Sequence, residues 1–360
     1  MSGGRERKKI FPEGIHLSKR SGLTLAFTLL MVLVGLFALW SLLWPLTIAK
    51  GNVRIVVQSG SSFSEVADAL VREKVVASSL NLKVLAGRSG ADKRVLPGEY
   101  QFRRGMSYTE ALDVLRRGPI KKVFTVVIPE GFTIDQIADR LKARTEVDAE
   151  EFRRLAKEGR TSDHASSALW SYDFLESNPG SSLEGYLFPK TYRIDEDTTA
   201  DEFLNRLLAQ FEKETSSLDW SVAKARNLTV YEVVTVASLI EKEAKIPEER
   251  SLIAAVIYNR LQMGMPLQID ATVQYILPMK KTGLTEDDLK TASPYNTYLQ
   301  LGLPPGPICN PGLACLKAAL NPAEVDYLYY VLTDSDGRHA FTSSYEDFVK
   351  AKQEAKKGLK

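Results

Sequence analysis

Apolar positions fall into distinct regimes along the chain, and each predicts a different kind of element. From Ser21 to Ala49 no charged residue occurs, and Leu, Val, Phe, Ala and Trp dominate. That run exceeds the ~20 apolar residues that cross a hydrocarbon core at about 1.5 Å rise per residue, so it predicts a transmembrane helix over 21–49. Arg5, Arg7, Lys8, Lys9, Lys19 and Arg20 make residues 1–20 a basic tail, which predicts a cytoplasmic N-terminus. Trp40 and Trp44 stand toward the far end, where aromatic rings favour the interface. The run is too long for a signal-peptide core and no A-x-A site follows, so a retained anchor is expected. The chain after Lys50 is then expected outside the cytoplasm.

Beyond that run, alternating and helical periods take over. Val53–Val57 reads as a strand, followed by a turn at Ser59–Ser62 and a helical pattern through Val66, Ala67 and Leu70. Val123–Ile128, Pro129-Glu130-Gly131 and then Ile134, Ile137, Ala138 and Leu141 repeat the pattern. Strand, tight turn and amphipathic helix recur in both copies. Thr133 and Gln136 have the spacing of a capping box. Residues 50–120 are expected to form the first module, and 121–180 a second strand–helix module with a helical connector. A Ser-Asn-Pro-Gly-Ser-Ser loop at 177–182 marks the next boundary. From 181 to 360 helical patterns dominate, at 199–214, 221–226, 229–244 and 248–263. A strand-like Tyr327–Leu332, a Ser-Asp-Gly turn at 335–337 and a helix from Tyr345 close the chain. The fold class is therefore α+β. A small strand–helix unit of this kind suggests, by analogy, a LysM-like polysaccharide-binding module, with a bare spacer as its rival.

Charge adds an exclusion. The chain has 47 basic and 45 acidic residues, so no global field argues for nucleic acid. Cys309 and Cys315 flank a turn that can bring them into a small-loop disulfide, with two free thiols as the equal alternative. No histidine among His16, His164 and His339 has ligand spacing to them, so neither a metal nor another cofactor is expected.

The densest chemistry begins at residues 236–244, VASLIEKEA. Glu241 and Glu243 end an otherwise apolar helical run, and a carboxyl held against apolar neighbours can stay protonated near neutral pH. On a helical wheel the two flank the buried stripe on opposite sides, so only one can face a cleft, and helix geometry does not say which. Downstream, residues 265–275 offer Gln268 and Asp270 on a proline-stiffened segment. Tyr295, Asn296, Thr297 and Tyr298 follow, and Gly302–Ile308 is too proline-rich for helix or ladder. Amides and aromatic faces on rigid loops suit a neutral polar polymer such as a glycan. Ser238 lacks a histidine partner, His339 has nothing to mark it as a base, and phosphate-binding glycine motifs are absent.

These segments resemble one family. VASLIEKEA, YNRL at 258–261, MPLQID at 265–270, SPYNTY at 293–298, GLPPGPI at 302–308, NPG at 310–312 and LEGYLFPKTY at 183–192 are similar to the YceG-like endolytic murein transglycosylases. The resemblance covers roughly residues 52–350. It implies a single-pass inner-membrane protein with a periplasmic catalytic part, whose LysM-like portion precedes a lysozyme-like catalytic domain at 181–360. It also implies cleavage inside peptidoglycan glycan strands, and it puts cell-wall synthases among the candidate partners. A small residue, a hydrophobic residue and Pro247 follow Glu243, as at the catalytic helix end of lysozyme-like transglycosylases. That favours Glu243 as the acid, with Glu241 as its neighbour and a pairing to Lys245 at i+4. Gln268 and Asn296 are the candidates for orienting an N-acetyl group. Tyr295 and Tyr298 are expected to help exclude water, and Thr297 and Glu184 complete the candidate substrate-binding set. Asp270 is the one obvious second carboxylate for a rival hydrolase, and a non-catalytic glycan-binding scaffold is the other alternative. Two departures stand out. Tyr345-Glu346-Asp347 occurs where the family tends to carry a further histidine, and Cys315 stands where serine is usual.

Overall fold

The structure is a computed structural model that describes residues 19–43, 51–93, 95–158, 172–279, 281 and 283–358. The basic tail before Lys19, Trp44 and His164 lie outside the described residues. The chain divides into two compact units, Met1–Lys121 and Lys122–Lys360.

The first unit opens with α1 (Lys19–Leu43). Its side chains are described over 26–40. Among the described residues no helix is long and apolar enough to cross a membrane. This corrects the transmembrane helix expected over 21–49. The single-pass inner-membrane placement, with a cytoplasmic N-terminus and a periplasmic remainder, rested on that helix and falls with it. The α+β class stands.

In the rest of this unit β1 (Asn52–Val57) pairs antiparallel with β2 (Gly98–Arg103), in register from Asn52↔Arg103 to Val57↔Gly98. Three helices, α2 (Phe63–Arg72), α3 (Ser79–Ser89) and α4 (Tyr108–Arg117), complete it. Alternation puts Ile55, Val57, Tyr100 and Phe102 on one sheet face, where they share a core with Val66, Leu70, Leu82 and Leu112. Ser62 with Glu65 and Ser107 with Glu110 cap α2 and α4 reciprocally, which satisfies first-turn N–H groups and fixes where each helix starts.

The second unit begins with the repeated pattern, β3 (Val123–Val127) leading to α5 (Ile134–Arg144), whose Thr133–Gln136 capping box is complete. Its pairing repeats that of the first copy. β3 pairs antiparallel with β4 (Thr191–Asp195), which arrives after α5 and α6 (Ala149–Glu158), as β2 arrives after α2 and α3. Helices α7 (Ala200–Thr215), α8 (Ser221–Ala225), α9 (Val230–Glu243), α10 (Arg250–Gln262), α11 (Asp270–Ile276) and α12 (Leu313–Leu320) form the bulk. A hairpin of β5 (Tyr329–Leu332) and β6 (His339–Thr342) and then α13 (Tyr345–Gly358) close it.

Helix α9 is the axis of this unit. Every residue from Val233 to Ile240 is buried, as expected for a helix apolar on all sides. Gly185 shows how closely other segments approach it. Its φ is +95°, and a Cβ there would lie 2.6 Å from Pro307 Cγ and 2.7 Å from Val234 Cγ1. Gly185→Ala is expected to cost about 2–4 kcal/mol from left-handed strain plus overpacking, read as a lowered urea midpoint with unchanged slope.

Candidate active site

The last turn of α9 sends its two glutamates to different neighbours. Ala244 turns extended, with ψ 113°, and Pro247 starts a short 3-10 turn, so the chain leaves the helix directly after Glu243. Glu241 faces the start of α12. Its Oε2 accepts the Gly312 N–H at 3.0 Å, and the Cys315 thiol donates to the same carboxylate. Gly312 has no capping side chain of its own, so Glu241 serves as the anion at that helix N-terminus. Burial raises its pKa despite these donors. The expected pairing with Lys245 gives way to this arrangement. Cys309 and Cys315 are buried thiols with no bond between them.

Glu243 faces the hairpin and the start of α11. Its Oε2 accepts the Tyr330 O–H at 3.0 Å. Burial pushes its pKa up to about 7; the Asp270 charge adds to the rise, and the Tyr330 hydroxyl and Ala271 N–H oppose it. Asp270, exposed as the first residue of α11, accepts a short hydrogen bond from the Tyr298 hydroxyl. Burial likewise raises the Tyr298 pKa, and the charges of Asp270 and Glu243 raise it further. Glu243, Asp270, Tyr298 and Tyr330 therefore form one electrostatic cluster.

The loops around this cluster are stitched from behind. Thr297 is buried, with its hydroxyl 3.0 Å from Thr272 Oγ1 and accepting the Ile269 N–H at 2.9 Å. Asn296 is buried too. Its amide donates to the Leu289 and Thr291 carbonyls at 2.9 and 2.8 Å, and its oxygen accepts the Tyr298 N–H. Both residues shape the Tyr298 loop. Gln268 is exposed at φ +52°, a conformation rare for a side-chain-bearing residue and one that can mark functional strain. Tyr275 and Tyr295 pack with ring centres 5.2 Å apart.

Glu184 lies beneath Tyr275, only 5% exposed. It accepts the Ile134 N–H at 3.1–3.2 Å, the Asn310 amide at 2.8 Å and the Tyr275 hydroxyl at 3.4 Å. Burial pushes its pKa up to about 8. The structure thus brings Glu243, Asp270 and Tyr298 together, with Asn296 and Thr297 buried in the Tyr298 loop, Glu184 buried against Ile134, Asn310 and Tyr275, and Glu241 at the N-terminus of α12. Ser238 is no nucleophile. It is buried, donating to Thr235 O at 2.7 Å and accepting the Ile308 N–H at 3.0 Å.

Sequence reasoning missed four residues. Tyr330 was hidden within a strand. His339 and Glu249 form a buried pair, with Nδ1 2.7 Å from Oε2 and the His339 N–H 2.9 Å from Oε1. Arg260 reads as a helix-end charge, yet it is buried and donates to the Leu328, Pro266 and Leu267 carbonyls. Its spacing from Ile253, Val256 and Ile257, all buried, is the available signal, because it puts Arg260 on the inward stripe.

The YceG-like family pattern matches residues 55–354. This chain belongs to the YceG-like family. The endolytic murein transglycosylase of Bacillus subtilis is 34% identical over 85% of this chain and 85% of its own length. Its namesake in Streptococcus pneumoniae is 35% identical over 83% of this chain, which spans 57% of that longer protein. A solved YceG-like protein of Listeria monocytogenes shares the fold with TM-score 0.55 and 29% identity, covering 83% of this chain and 98% of that one.

Proposed function

We propose that this YceG-like chain is an endolytic murein transglycosylase that cleaves the bond between N-acetylmuramic acid and N-acetylglucosamine and leaves 1,6-anhydro ends. The observation that carries this reading is Glu243, a carboxyl with a raised pKa at a helix terminus, beside exposed Asp270 and the Tyr298 ring. The names of its relatives support the substrate class. Protonated Glu243 gives its hydrogen to the glycosidic oxygen as the C1–O bond breaks. The acetamido oxygen of the same sugar captures the cation at C1. Glu243, now a carboxylate, takes the proton of the C6 hydroxyl, and O6 closes onto C1 as the C1 bond to the acetamido oxygen breaks and the acetamido group is restored. One proton leaves the enzyme and one returns, so no water is consumed. Asp270, oriented by Tyr298, adds negative charge near the forming cation, and exposed Gln268 is the candidate for orienting the N-acetyl group. Cutting within nascent strands would limit their length.

Mass spectrometry of a peptidoglycan digest checks this. Internal fragments with anhydro ends, lighter by one water than hydrolysis products, are expected. Reducing ends would instead make Asp270 the second carboxylate of a hydrolase, and an uncut polymer would favour a glycan-binding scaffold.

A further inference from the structure

The segment that follows Glu243 is pinned to the β5–β6 hairpin at two points, and only the first touches the acid. Tyr330 donates to Glu243 Oε2. Six residues after that glutamate, Glu249 takes both the backbone N–H and the ring Nδ1 of His339. Leu332 and His339 are paired in the hairpin register, as are Tyr330 and Phe341. The His339 ring stands perpendicular to the Tyr330 ring, with centres 5.3 Å apart. Phe341 lies against both rings, at 6.0 Å from Tyr330 and 6.1 Å from His339. Arg260 holds the strand's entrance at the Leu328 carbonyl. Tyr330 therefore has its ring fixed on several sides and its hydroxyl aimed at one oxygen of the acid.

We propose that Tyr330 is a positioning residue for Glu243, fixing which carboxyl oxygen carries the proton, and that the Glu249–His339 pair locks Tyr330 in place. With Oε2 occupied by the tyrosine hydroxyl, the transferable proton resides on Oε1. The titratable groups facing Glu243 are Tyr330 from β5, Asp270 from α11 and Tyr298 from the intervening loop; Arg260 from α10 and His339 from β6 reach it through Tyr330. The tyrosine's donated hydrogen bond stabilises the carboxylate and so lowers the Glu243 pKa. Its removal must raise it. This inference rests on Glu243 being the general acid, and a Glu243→Gln control run alongside tests that premise separately.

The experiment is a pH–rate profile of anhydro-product formation by the full chain, for wild type, Tyr330→Phe and Glu249→Gln. Tyr330→Phe keeps the ring and removes one hydroxyl. Its kcat should fall about 10- to 100-fold, as expected for a hydrogen bond to a charged group. The alkaline limb should move up by roughly one pH unit with KM unchanged. Glu249→Gln weakens the lock and should move the limb in the same direction by less. If Tyr330→Phe folds and its limb stays at the wild-type pH, the proposal is overturned, whatever its kcat. If Tyr330→Phe does not fold, the Glu249→Gln limb decides in the same way. Cleavage by Glu243→Gln at close to the wild-type rate would instead overturn the acid assignment itself.

Discussion

Glu243→Gln should reduce glycan cleavage by about 10³-fold or more while glycan binding persists, because the amide keeps the shape and loses the transferable proton. Glu241→Gln should behave oppositely. Its amide oxygen can still accept the Gly312 N–H, so cleavage should stay within about tenfold of wild type, with a stability loss of roughly 1–2 kcal/mol from a weaker cap. Activity of the wild-type chain should depend on the protonated acid. With the Glu243 pKa near 7, turnover should fall as pH rises through that value, and Glu243→Gln should show no such limb. Purified variants assayed on defined glycan strands, with melting curves beside them, check all three statements. The assignment would be lost if Glu243→Gln cut normally and Glu241→Gln did not.

How much of this was visible in the chain varies by element, for physical reasons. The helices with strong periodicity and caps were legible, as with Thr133 and Gln136 at α5, because capping is local chemistry. The separation of Glu241 from Glu243 was half legible. A wheel shows that they diverge, but their partners lie far along the chain, Gly312 for one and Tyr330 for the other. Glu184 reads as a substrate-binding carboxylate within LEGYLFPKTY, yet it is buried, with Ile134, Tyr275 and Asn310 supplying its donors from distant segments. Asn296 reads as a sugar contact that orients an N-acetyl group, and only the fold shows that its amide donors go to the Leu289 and Thr291 carbonyls. The apolar run at the N-terminus was read as a membrane span from its length and composition, and among the described residues no helix is long and apolar enough to be one.

Asn310→Ala should be the most destabilising single substitution among those considered, at about 4 kcal/mol or more, because one side chain bonds four groups from two distant segments. Its oxygen accepts the Gly185 and Leu187 N–H groups at 2.9 and 2.8 Å, and its amide donates to the Phe132 carbonyl and to Glu184 Oε1 at 2.9 and 2.8 Å. Truncation leaves the Gly185 and Leu187 N–H groups without their acceptor, and it takes one donor each from the Phe132 carbonyl and Glu184 Oε1, which keep the Asn310 and Ile134 N–H groups, at a position of zero exposure. A buried network that is half satisfied is worse than none. Asn310→Asp sharpens the reasoning. A carboxylate can still accept both N–H groups, but it would face the Phe132 carbonyl and the Glu184 carboxyl with no hydrogen to give. Two carboxyls in one buried site cannot both ionise, so one must hold a proton. Asn310→Asp should therefore lose stability as pH rises, through additional repulsion once the introduced carboxyl and Glu184 compete to ionise. Urea unfolding at pH 5.5 and pH 8.5, chosen as roughly neutral and ionised limits for such a pair, reads both effects. Midpoints for either variant within about 1 kcal/mol of wild type would mean that NPG is a passive turn rather than the knot that holds α5, the 183–192 segment and α9 around the acid.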